Sequence, residues 1–197
     1  MGICMYAQTL SDDKIDIIMA DPPQVWLIIE PDDTARYLRE IGQAKPPGIF
    51  SRLLGNKKEW PPRIPAFSFS ENERHELDLD KSWDGVNFCL KQLIPAGACK
   101  NFFEDGKPVG KVEVGYGPAM CLSSGEVTAI AAKYGALSGA ELLAQFIPSR
   151  MKDVYPEALW AKDNDDCRDY LTENFQDLKV FLENAAAHKL GVIVQYT

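Results

Sequence analysis

Leu171, Phe175, Leu178, Leu182 and Ala185 recur every third or fourth residue over four turns. This spacing predicts an amphipathic helix that begins near Asp165, stops at Gly191 and gives way to a closing strand over 192–196. Two further helices announce their starts. Ser123-x-x-Glu126 and Ser138-x-x-Glu141 are capping boxes, in which hydroxyl and carboxylate satisfy the free backbone donors of a first turn reciprocally. Val127, Ile130, Ala131 and Tyr134 form the apolar face of the first, and Leu142, Leu143 and Phe146 that of the second. Another helix carries the stripe Trp83, Val86, Leu90, Leu93 and Ile94, with Asp78 or Asp80 as its cap.

Near the N-terminus, residues 3–9 read as a strand. Ser11 then caps a helix whose first-turn Asp12 and Asp13 complement the helix dipole, and Pro22-Pro23 stops it. The apolar run Val25–Ile29 reads as a short strand, and a helix follows from about Pro31 through Tyr37, Leu38 and Ile41 to Gly42. Residues 97–111 form a turn-rich connection. Residues 112–122 alternate as one or two strands broken at Gly115-Tyr116-Gly117-Pro118. Strands and helices in mixed order, without regular βαβ alternation, predict an α+β fold. Several helices should pack a small mixed or antiparallel sheet.

Residues 43–67 interrupt this pattern. Five prolines and two glycines exclude long regular elements, with one helical turn expected over 50–54. Lys45, Arg52, Lys57, Lys58 and Arg63 face a single acid, Glu59, and Trp60 lies among them. The segment is expected to leave the domain as a basic, proline-rich excursion, either a solvated loop or a contact for an acidic partner through Lys57, Lys58, Trp60 and Arg63.

Composition narrows the function classes. With 197 residues and 46% hydrophobic content, the chain is expected to form one globular domain that needs no staples. A net charge of −8 argues against nucleic acid, which selects a surplus of Lys and Arg. The five cysteines are odd in number and show no C-x-x-C spacing, so neither a disulfide framework nor a zinc site is expected, and reduced thiols in the cytoplasm are the default. No signal peptide is read at the start, no apolar run reaches a membrane span, and the oligomeric state leaves no mark in the sequence.

Catalytic signatures are missing from the chain. There is no Gly-x-Ser-x-Gly elbow, no Walker loop and no complete dinucleotide fingerprint. Of the two histidines, His188 falls in the last turn of the long helix and His75 in a charged run over 71–76 that reads as solvated. A Cys4 or Cys121 nucleophile with His75 as base is the weaker alternative. Asp163, Asp165, Asp166 and Asp169 lack the spacing of a calcium loop and read as the helix start, so no metal and no cofactor is expected. Asn87 sits on a core-facing stripe, where its amide needs partners such as backbone groups or the Tyr6 or Tyr116 hydroxyls; otherwise it anchors the floor of a ligand pocket. Trp83, Tyr116, Tyr155 and Trp160 share that ambiguity between core and interface.

Several segments together resemble the YfbM-like family of bacterial proteins. They are Met1-Gly2-Ile3 with Tyr6, residues 77–84, Tyr116-Gly117-Pro118-Ala119, residues 123–127, residues 154–160 and Ala185-Ala186-Ala187. The similarity covers about 1–18 and 77 onward and leaves out the basic excursion. It implies a compact α+β protein with no catalytic residues to carry over, and relatives near toxin systems imply a neutralising or protein-binding role. Where relatives often have a histidine, this chain has Asn87. Two readings stand: a non-enzymatic protein-binding module, immunity-like or regulatory, and an enzyme or small-ligand receptor built around Trp83, Asn87 and Tyr116.

Overall fold

Side chains alternate across the two central strands and so define two cores. Strand β1 (Met5–Leu10) sends Met5 and Ala7 into one apolar cluster and Leu10 into another. Strand β5 (Gly191–Tyr196) sends Val192 and Val194 into the first and Ile193 into the second. A sheet apolar on both faces must be covered on both. The computed structural model describes residues 2–45 and 62–197. Within them, strands β2 (Glu76–Asp80), β3 (Lys107–Gly115) and β4 (Gly117–Leu122) complete a five-stranded, fully antiparallel sheet in the order β2-β1-β5-β4-β3.

The first face carries α4 (Trp83–Leu93), α5 (Ser124–Gly135), α6 (Gly139–Leu143), α7 (Glu157–Trp160) and the long α8 (Asp165–Ala187). The second carries α1 (Asp12–Ala20), α2 (Val25–Ile29) and α3 (Ala35–Glu40), with Ile64, Phe67 and Phe69 packed against the same cluster. The fold is α+β, with the C-terminal helix followed by a final strand. Leu171, Phe175, Leu178, Leu182 and Ala185 are all buried along α8. Both capping boxes form, each serine oxygen accepting the backbone N–H of its glutamate and each glutamate accepting the serine N–H.

Four expectations need correction. Val25–Ile29 is a helix, because the 3-10 turn over Pro22–Gln24 feeds directly into it, and Val25, Trp26, Leu27 and Ile28 are all buried. A short continuous apolar run does not by itself separate a helix buried all round from a buried strand. The following helix is shorter than expected, starting at Ala35 rather than near Pro31. Asp78 and Asp80 belong to strand β2, and Ser82 holds the N-cap position of α4. The connection over 97–111 ends early, since β3 already begins at Lys107. Ser11 occupies the N-cap position of α1, but its hydroxyl accepts from Lys14 Nζ at 3.4 Å rather than capping a backbone N–H. Asp12 reaches instead to Ser124, accepting from its N–H at 2.8 Å and its hydroxyl at 2.6 Å.

Candidate functional site

An open cleft of about 710 Å³ lies where β2 ends against α7 and α8; Gly2, Asp80, Lys81, Tyr155, Leu159 and Tyr170 are among its walls. The local chain explains how it is shaped. The β1–β2 register shifts between Met5 and Tyr6, and Asp80, at the end of β2, adopts a left-handed φ of 43°. A bulge bends its strand and re-aims side chains, and a non-glycine residue in that region is strained unless its surroundings hold it. Here they do. Asp80 Oδ1 accepts from the Cys4 thiol at 3.1 Å, Oδ2 accepts from the Tyr170 hydroxyl at 2.9 Å, and the Tyr170 oxygen accepts the Lys81 N–H at 3.2 Å.

The opposite wall is equally tied. Tyr155 Oη accepts the Ile3 N–H at 2.8 Å, and Asp84 Oδ2 accepts the Tyr155 N–H at 2.7 Å. Gly2 is compressed between these groups, for a Cβ there would stand 2.5 Å from both Tyr155 Oη and Lys81 Cε. The charge states follow from the contacts. Partial burial alone would lift the Asp80 carboxyl, but the Cys4 and Tyr170 donors outweigh it and hold the group below the usual carboxylate range. The hydrogen bond to Asp80, then burial, push the Cys4 thiol up. Burial and the same carboxylate raise Tyr170. The wall thus presents an anion of fixed orientation beside a neutral thiol and a neutral phenol.

Of the residues expected to bind, the fold brings Trp83, Tyr155 and Trp160 together, with the Trp160 indole N–H donating to Tyr155 O at 2.9 Å, and leaves Asn87 and Tyr116 with other partners. Asn87 is 3% exposed and bonded at both ends: its amide donates to Glu104 Oε1 at 2.8 Å, and its oxygen accepts from Asn101 at 2.8 Å. Its partners are therefore Glu104 and Asn101, not the Tyr6 or Tyr116 hydroxyls. Trp83 donates its indole N–H to Ile3 O at 3.1 Å and packs between Tyr155 and Tyr196. Trp160 is buried against Phe146 and Tyr170, so close to α4 that a Cβ at Gly85 would stand 2.4 Å from its ring. Tyr116 is alone at the β3–β4 turn, 60% exposed, with its backbone N–H on Tyr196 O. Of these five, Tyr155 alone lines the cleft. Lys57, Lys58, Trp60 and the turn expected over 50–54 lie outside the described residues, whereas Arg63 is exposed and belongs to no helix or strand.

Cys4 bonds to Asp80, Cys121 is buried and pushed up to about 12 by that burial, and His75 lies beside His188; no Cys–His hydrogen bond occurs among the described residues. Asn164 caps α8 by accepting the Cys167 N–H, with Asp165 and Asp166 in the first turn. Among the described residues, no group of three or more His, Cys, Asp or Glu side chains could hold a metal ion, and no helix is long and apolar enough to cross a membrane. Asp80, Lys81, Tyr170 and Cys4 were not singled out as binding residues by the sequence. The alternation Glu76-Leu77-Asp78-Leu79-Asp80 is a period-two signal that identifies a half-buried strand with its acids outward.

No curated protein matches the chain. Among solved structures, it is similar to a protein of unknown function, YfbM from Escherichia coli, with 14% identity and a TM-score of 0.53 over 98% of this chain and 99% of that one. At that identity the likeness speaks for the fold. The sequence profile of a family described as a domain of unknown function, DUF1877, matches residues 1–195, and the chain belongs to that family.

Proposed function

We propose that this domain is a non-enzymatic protein-binding module, of immunity-like or regulatory type, that engages its partner at the Asp80 cleft. The observation that carries the reading is the held carboxylate: an exposed, backbone-strained aspartate, oriented by Cys4 and Tyr170, on the wall of a wide cleft. Pre-organised groups bind with less loss of side-chain freedom, so an orientation fixed before contact favours recognition. Lys81 and Lys162 on the same walls supply the opposite charge, and Tyr155, Pro156 and Leu159 supply apolar surface. That mixture suits a polypeptide segment better than a single small anion or cation. The neutral thiol of Cys4 favours binding over nucleophilic catalysis.

Two variants test this. Asp80→Asn removes the charge while tolerating the left-handed backbone, and Ala158→Trp fills the cleft from an exposed position. Immobilised parent protein is expected to capture a saturable partner from a lysate of the native host. Both variants should capture it at least tenfold more weakly while melting within about 2 °C of the parent, a shift of under about 1 kcal/mol at this size. Equal capture by the variants would show that the cleft is not the contact surface.

A further inference from the structure

His75 and His188 are the two histidines of the chain, far apart in sequence, and the fold sets their rings together with centroids 5.8 Å apart and planes inclined by 33°. Their anchoring is independent of each other. His75 stands just before β2, where its N–H donates to Thr9 Oγ1 at 2.8 Å and its carbonyl accepts the Thr9 N–H at 2.9 Å. His188 ends α8, with its Nδ1 2.9 Å from Asn184 O. A carbonyl only accepts, so this contact places the proton on Nδ1 and leaves the lone pair on Nε2. On the other ring, His75 Nε2 is buried and has no hydrogen-bond partner among the described residues. Buried polar atoms are nearly always satisfied, and one that is not calls for an account.

We infer that His75 and His188 form a two-imidazole site for a borderline transition-metal ion of the Zn²⁺, Ni²⁺ or Cu²⁺ class. The separation is of the right size. With metal–nitrogen bonds of about 2.0–2.1 Å, two imidazoles on one ion hold their ring centres roughly 5 Å apart at a tetrahedral angle and roughly 6.5 Å apart when opposed. The observed 5.8 Å lies between these limits. The bond from His188 Nδ1 to a backbone carbonyl is the outer support that metal-bound histidines commonly have, since it sets the tautomer and the ring orientation. Neutral imidazole donors favour borderline ions over Mg²⁺ or Ca²⁺, which take oxygen. Two protein ligands leave the other positions to water or to a donor from outside. The ion is therefore an exchangeable ligand, not a requirement for folding.

Ni²⁺ is the probe, titrated calorimetrically into tag-free, fully reduced protein that has first been stripped with chelator. The stripped protein is expected to stay folded and to take up one Ni²⁺ per chain. His75→Gln and His188→Gln should each weaken uptake at least tenfold. A hundredfold excess of Ni²⁺ over the parent's dissociation constant should raise the parent's melting temperature by about 5–10 °C and that of either variant by at most about half as much. Mg²⁺ at the same concentration should do nothing. Absence of saturable uptake overturns the site, and so does undiminished uptake in either variant, which would move the ion to the thiols. Should His75→Gln fail to fold, the exposed His188 decides the matter alone.

Discussion

Phe175→Ala is expected to destabilise the domain by about 3–5 kcal/mol, the usual cost of removing a large aromatic side chain from a packed core. Phe175 is 1% exposed and sits midway along α8, in one continuous buried stripe with Cys167, Leu171, Leu178, Phe181, Leu182 and Ala185. That stripe is the main apolar surface laid against α5 and the first face of the sheet. The ring is large and its neighbours are fixed by several elements at once, so little of the cavity would collapse. For a chain of this size each kcal/mol moves the melting temperature by about 2–4 °C, which places the loss between about 6 and 20 °C. Chemical denaturation and a thermal scan of parent and variant are sufficient. A variant melting within a degree or two of the parent would falsify the central packing position of this side chain.

Features that depend on neighbours in sequence were legible, and those that depend on distant partners were not. The α8 stripe and the two capping boxes are local patterns, and each forms as the spacing requires. Val25–Ile29 fails because its type is decided by a second layer of helices that buries it on all sides, a tertiary fact with no local mark. Asp80 departs from the expected cap for a different reason. An aspartate shortly before a helical stripe matches the rule for a cap, but the alternation over 76–80 already made it the end of a strand. Among the aromatics, the fate of each ring was set across the chain. Tyr155 accepts the Ile3 N–H and Trp83 donates to the Ile3 carbonyl, and Trp160 fills the space that Gly85 leaves open. Composition marks such residues as anchors without saying whether they anchor a partner or the protein itself.

Glu73→Gln is expected to cost about 3 kcal/mol at pH 7 and about half of that near pH 3. The charged run over 71–76 reads as solvated in the sequence, yet the Glu73 side chain is only 8% exposed. Its Oε1 accepts from Lys14 Nζ at 2.5 Å and from the Ser11 N–H at 3.2 Å, and its Oε2 accepts the Ser70 N–H at 3.2 Å. The carboxylate therefore pins the turn before β2 to the start of α1, where the helix dipole also favours an anion. Burial alone would lift this carboxyl, but the Lys14, Ser11 and Ser70 donors outweigh it and hold the group at about 2, against an ordinary 4.5. Because the folded value is depressed, the unfolded chain binds the proton more readily, and stability is lost as pH falls. The contribution is complete above about pH 5 and fades between about pH 4.5 and 2, at about 1.4 kcal/mol per pH unit of separation. Glutamine keeps the shape and an acceptor but removes the charge, leaving the ammonium of Lys14, 15% exposed, without its counter-ion. Urea unfolding of parent and variant at pH 7 and pH 3 measures the difference directly. A gap of the same size at both pH values would mean that shape rather than charge holds this corner, and no gap at pH 7 would remove the buried ion pair from the account of stability altogether.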